Sequence, residues 1–143
     1  MKKIFFAVFA LVMSINANAF EFDGIDLNGN IGDITKLVSA KGYAFDDVKN
    51  GLVGNCQGTD IVLHFNYENV SKQGKLGQLI VEIPMSEPNS LDVIVKTFNV
   101  VYHLKEKADN RFTYVVSNDG TTVTVSKINS LIYLTYNTPY YKA

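Results

Sequence analysis

Ile61-Val-Leu-His-Phe-Asn-Tyr67, answered by Leu76-Gly-Gln-Leu-Ile-Val-Glu-Ile-Pro84, decides the fold class of this chain. In the first run Ile61, Leu63, Phe65 and Tyr67 alternate with Val62, His64, Asn66 and Glu68, and that period of two belongs to a half-buried strand. In the second, Leu79, Val81 and Ile83 share one face while Gln78, Ile80 and Glu82 share the other. The polar segment 69–75, which carries one glycine, reads as the hairpin loop between them. A hairpin with one apolar and one largely wet face needs a cover on its apolar side, and the flanking segments supply helices for that purpose.

Upstream, residues 20–27 alternate enough for a short strand or an extended arm, and 28–30 break it. Asn30 suits a helix cap, with Asp33 in the first turn, where an acid meets the positive end of the helix dipole. Ile31, Ile34, Leu37 and Val38 then make one helical face, and Gly42 is the left-handed stop. Residues 43–48 read as a weak strand, and the Gly- and Asn-rich segment 49–60 as a loop. Downstream, Asn89 or Ser90 caps a second helix with an apolar stripe of Leu91, Ile94, Val95, Phe98, Val101 and Tyr102. Lys105 and Lys107 fall at its C-terminal end, and His103 on its flank. Its many β-branched residues lower helix propensity, so burial has to hold it. Three strands follow, over 111–117, 121–127 and 131–136, the first two joined by a hairpin turn at Asn118-Asp-Gly120. In the last strand either Ile132, Leu134 and Tyr136 or Leu131 and Tyr133 face the helices, and alternation alone does not choose.

Residues 31–83 and 90–136 thus each read as a helix followed by three strands. The expected fold is α+β, two helices packed on one face of an antiparallel sheet. The matching element order makes it a duplicated helix-plus-three-strand unit, with halves 20–85 and 86–143 of a single domain.

The chain begins with a basic Met1-Lys-Lys3, an apolar run over 4–13 and Ala17-x-Ala19, the pattern of a cleaved signal peptide covering residues 1–19. The apolar run is about half the length a membrane-spanning helix needs, and no lipid-accepting cysteine follows it. The expectation is export to the periplasm, or secretion, with Phe20 as the mature start and no stable membrane anchor. With Lys2 and Lys3 removed, 11 basic residues face 14 acidic ones, a net charge of −3. Scattered lysines and the single arginine, Arg111, give no footprint for nucleic acid and no polybasic patch for a membrane surface. Cys56 is the only cysteine, so no internal disulfide framework exists. It reads either as a reactive or intermolecular thiol or as a small buried residue, and the second reading is favoured because free cysteine packs well in cores.

The run Phe22-Asp-Gly-Ile-Asp-Leu27, a capped helix over 31–41 and then Gly42-Tyr43 resemble the opening of small periplasmic modules of the SmpA/OmlA-like and β-lactamase-inhibitor-like type. The likeness covers about twenty residues and the element order. It implies helices ahead of an antiparallel meander, sometimes in tandem, and protein binding in the cell envelope through a sheet face. No catalytic or inhibitory residue carries over from it.

The functional classes then rank by side chains. No metal, phosphate-loop or nucleophile signature is present, so no catalytic, metal or cofactor residue is expected. Cys56, Asp60 and His64 are close in sequence but lack any recognisable cysteine-enzyme context. His64 and Glu68 share a polar strand face but are too few for a closed metal site. Tyrosines are the remaining signal, because they join large area to a polar tip. Tyr114, Tyr133, Tyr136, Tyr140 and Tyr141 are the candidate protein-binding residues. The leading expectation is a periplasmic protein-binding module of inhibitor, immunity or envelope-adaptor type, whose partner is another envelope or secreted protein. A small-ligand carrier with a cavity between helices and sheet comes second, and a Cys/His-dependent enzyme third.

Overall fold

The computed structural model describes residues 21–142 apart from 57, 86 and 87. The expected signal peptide, residues 1–19, and the Phe20 start lie outside the described residues. The described chain opens with a small hairpin, β1 (Glu21–Phe22) and β2 (Ile25–Asp26). Its turn places Asp23 and Gly24 at φ of 51° and 76°, which glycine tolerates readily and aspartate accepts with local hydrogen bonding. Helix α1 (Ile31–Ala40) follows, capped as expected: the Asn30 side chain accepts from the Asp33 N–H at 2.9 Å. Gly42 ends it at φ 96°.

Four strands come next, β3 (Ala44–Asp46), β4 (Gly51–Cys56), β5 (Thr59–Phe65) and β6 (Gln78–Pro84). Helix α2 (Ser90–Val101) opens the second half, and four strands follow again: β7 (His103–Ala108), β8 (Arg111–Val115), β9 (Thr122–Ile128) and β10 (Leu131–Asn137). The eight form one antiparallel sheet in the order β3-β4-β5-β6-β10-β9-β8-β7. Each half is a meander, and the last strands of the two halves, β6 and β10, pair at the centre. The α+β class therefore holds, with four strands per helix where the sequence suggested three.

Both extra strands have a physical reason for escaping the pattern. Segment 51–56 reads as a loop because of its glycines, yet those glycines make room for neighbours. A Cβ on Gly51 would stand 2.8 Å from His64 Cε1, and one on Gly54 would stand 2.1 Å from the Tyr43 ring. The sequence pattern carries the second helix on through His103 to Lys105 and Lys107. Instead α2 stops at Val101, and β7 pairs with β8 at the sheet edge, with a bulge between Leu104 and Glu106. All six of its residues are exposed, so no burial period marks it. His103 accordingly opens a strand. Asn89 occupies the cap position of α2 but makes no side-chain capping bond. Tyr67 leaves the strand for a short 3-10 turn and is exposed.

Strand register builds the core in rows. Leu52, Leu63, Val81, Leu134, Val125 and Phe112 form one cross-strand row spanning six strands. A second pairing sets Leu79 against Tyr136. Ile34 and Val38 from α1, and Ile94 and Phe98 from α2, close over this face. Phe98 packs edge-on against Tyr114 and Tyr102, with ring centroids 5.5 and 5.1 Å apart. Tyr114 also ties the layers together, donating to Asn99 Oδ1 at 2.9 Å. The open choice in β10 is thereby made: Ile132, Leu134 and Tyr136 face the helices.

Candidate functional site

The side chains that alternate with this core make up the other face of the sheet. Register assembles them into rows: Val62, Glu82, Tyr133 and Ser126 in one, and His64, Ile80, Thr135, Thr124 and Thr113 in the next. A third row runs from Gln78 through Asn137 and Thr122 to Val115. Most are half-buried, as expected where short side chains shelter one another on a continuous sheet. Val62 is buried but outside the helix-covered core cluster. Polar ladders cross the strands. Asn66 donates to Gln78 and Gln78 to Asn137, each at 3.0 Å, and the Thr113 and Thr124 hydroxyls meet at 2.9 Å. Cross-strand bonds of this kind fix side-chain directions before any partner arrives.

The strongest electrostatic feature of this face is a three-residue contact near its β4 side. His64 Nε2 lies 2.9 Å from Glu82 Oε2, and His64 Nδ1 lies 3.0 Å from the Asn50 carbonyl oxygen. Burial, and then a hydrogen bond to the Glu82 carboxylate, raise the Tyr133 hydroxyl pKa above its ordinary value. Two hollows adjoin this contact. One, of about 330 Å³, has Val53, Val62, Pro84 and Leu131 as apolar walls and Lys49, Asp60 and Glu82 as polar ones. The other, of about 280 Å³, lies at the sheet edge between Phe45, Leu52, Phe65 and Tyr67. Phe45 and Tyr67 are 63% and 61% exposed.

Comparison with known proteins finds no matching family model, no matching curated protein and no matching solved structure. Chemistry has to be read from these side chains alone. Among the described residues no group of three or more His, Cys, Asp or Glu side chains is placed to hold a metal ion. No helix among them is long and apolar enough to cross a membrane.

The five candidate tyrosines separate cleanly. Tyr114 and Tyr136 are 0% and 3% exposed, so they are core residues and no partner reaches them in the folded chain. The cause is register: both stand in the rows under the helices. Tyr133 lies on the open face. Tyr140 is 45% exposed and Tyr141 half-buried. These two belong to a C-terminal turn pinned by Thr138 N–H to the Gly77 carbonyl at 2.9 Å and by Lys142 N–H to Asn69 Oδ1 at 3.0 Å.

Cys56, Asp60 and His64 are not brought together. Cys56 is buried on the helix side, while His64 and Asp60 stand on the open side, where Asp60 accepts from Asn55 at 3.0 Å. Sequence reasoning missed the Glu82–His64–Asn50 contact. Its available signal was Gly51, which stands opposite His64 once segment 51–56 is taken as a strand.

Proposed function

We propose that this chain is an exported protein-binding module of inhibitor, immunity or envelope-adaptor type, working in the periplasm through the open face of its sheet. The observation that supports the reading is the asymmetry of that sheet. One face is sealed by two helices, and the other presents ordered threonines, amides, Ile80 and Tyr133 across its central strands. Such a face offers hydroxyl and amide contacts around a partly apolar centre, the composition of a non-obligate protein interface. The space a carrier would need between α2 and the sheet is filled by the rings of Phe98, Tyr102 and Tyr114, so binding at the surface is the better-supported mode.

The test is capture of a partner from envelope extract by the mature chain, followed by two charge insertions. Thr135→Arg places a long cation in the middle of the open face without touching the core. It is expected to weaken capture at least tenfold, about 1.4 kcal/mol. Val100→Arg, on the exposed side of α2, is expected to leave capture unchanged. The opposite outcome, loss with Val100→Arg and none with Thr135→Arg, moves the interface to the helix layer and ends this reading.

A further inference from the structure

Among the described residues the His64 ring makes two hydrogen-bond contacts, and both partners are acceptors. The Asn50 carbonyl has only lone pairs to offer Nδ1, and an ionised Glu82 has only lone pairs to offer Nε2. A neutral imidazole carries one N–H and satisfies one of them, leaving two lone pairs face to face at the other. The seat is therefore filled only when it holds one proton more than a neutral ring beside a carboxylate. Imidazole is a stronger base than a carboxylate, so the extra proton belongs on the ring and Glu82 is the anion.

The seat is built for this ring. Gly51 forms its floor, where a Cβ would stand 2.8 and 2.9 Å from His64 Cε1 and Nδ1. Asn50, whose carbonyl accepts from Nδ1, sits at φ 53° in the tight turn joining β3 to β4. That turn is otherwise braced by Asp46, whose carboxylate accepts from the Val48 and Lys49 N–H groups at 2.9 and 3.1 Å. The His64 side chain is 27% exposed, so water reaches the ring.

We propose that His64 is a proton-operated clamp on the β3–β4 turn. With both ring nitrogens protonated it bridges the Asn50 carbonyl to the Glu82 carboxylate and ties the turn to the central strands. When the ring loses one proton to solvent, one of the two contacts opens. The turn borders both hollows: Asn50, Gly51 and His64 line the smaller, and Lys49 and Glu82 the larger. Proton loss thus changes the shape of this end of the open face. Among the described residues, the charged and titratable groups on the elements flanking the ring are Glu82 from β6, Tyr133 from β10, Lys49 and Asp46 at the turn, Asp60 on β5 itself and Tyr67 just after it. Of these only Glu82 lies within bonding distance of the ring. The clamp stands whether or not a partner docks on the open face, and its test needs no partner.

The test is nitrogen-resolved NMR of the two histidine rings from about pH 5 to pH 8, the range in which imidazole charge changes, recorded with the backbone amides. His103, exposed at the start of β7, is the in-chain comparison. At the low end both His64 ring nitrogens are expected to show the protonated signature. As one proton is lost, the Asn50 and Gly51 amides and the Tyr133 ring are expected to shift with the same midpoint. His64→Gln should abolish those shifts. A His64 ring that stays a neutral tautomer throughout overturns the clamp. So does a His64 titration that leaves Asn50 and Gly51 still, or one whose turn shifts survive His64→Gln.

Discussion

Cys56 closes β4 opposite Thr59, with its sulfur turned toward Asp23. Burial first, then the charge of that carboxylate and the hydrogen bond it accepts from the thiol, push the Cys56 pKa up to about 12. At about pH 8 the thiolate fraction is then on the order of one in ten thousand, and the thiolate is the reactive species. The folded chain is expected to resist a thiol-specific reagent until denaturant is added, and then to react once per chain. Rapid labelling of native protein, or a disulfide dimer on a non-reducing gel, contradicts this. The same carboxylate accepts from the Tyr43 hydroxyl at 3.0 Å and lies 4.0 Å from Lys41 Nζ. Asp23 therefore pins the N-terminal hairpin to β3 and β4. Cys56→Ser keeps the volume nearly constant, so its expected cost is about 1–2 kcal/mol, read as a shift in denaturation midpoint. The sequence showed that the cysteine was solitary and small enough for a core. It could not show Asp23, which lies 33 positions away and meets it only through the fold.

Among the elements, β4 shows most clearly what sequence reading reaches and where it stops. Alternation found β5, β6, β8, β9 and β10, because each has one face under the helices and one outside. Capping chemistry found α1 and its end at Gly42. β4 failed to show itself because its glycines are spaces for other residues' rings, a signal that exists only after the strands are paired. β7 failed because an edge strand exposed on both faces has no hydrophobic period to read. The β10 facing stays open in the sequence for a related reason: Leu131, Ile132, Tyr133 and Leu134 are all apolar enough to be core. Gly54→Ala puts a methyl into the Tyr43 ring, whose hydroxyl is already committed to Asp23. The expected cost is about 1–3 kcal/mol of overpacking. Gly29→Ala is the control, since its Cβ meets nothing closer than Asp33 Cβ at 3.9 Å. If Tyr43 is the obstacle, Gly54→Ala costs much less in a Tyr43→Ala background, and a strictly additive double variant refutes the assignment.

For the whole molecule, the two halves meet where β6 and β10 pair antiparallel, with Val81 opposite Leu134 at the middle of the ladder. From that pair, the row runs out through Leu63 and Leu52 on one side and Val125 and Phe112 on the other. Two residues beyond Leu52 stands Gly54, and two beyond Phe112 stands Tyr114, so the matched positions carry no side chain and a full ring. The first half fills its place with Tyr43, reaching across from just before β3; the second fills it from β8 itself. Each half thus buries a phenol beneath its helix, and this shared solution fixes how the molecule behaves in alkali. Burial raises the pKa values of Tyr43, Tyr102, Tyr114 and Tyr136 above the ordinary tyrosine value of 10.0, and that of Cys56 above 9.0. All five are acids that the fold keeps protonated. Below about pH 9 the folded and unfolded chains hold these protons equally, and their contribution to stability is fully present. Above it the unfolded chain releases them first, binds fewer protons than the native state, and gains stability relative to it as pH rises. The urea midpoint is therefore expected to fall steadily from about pH 9 upward, with tyrosinate absorbance appearing together with the loss of structure. Tyr102→Phe removes one such proton, whose shift comes from burial alone, and is expected to make that fall shallower. A midpoint that stays level to about pH 11, or one that Tyr102→Phe leaves unchanged in slope, shows that these phenols ionise within the folded sheet and that the helix layer does not seal them.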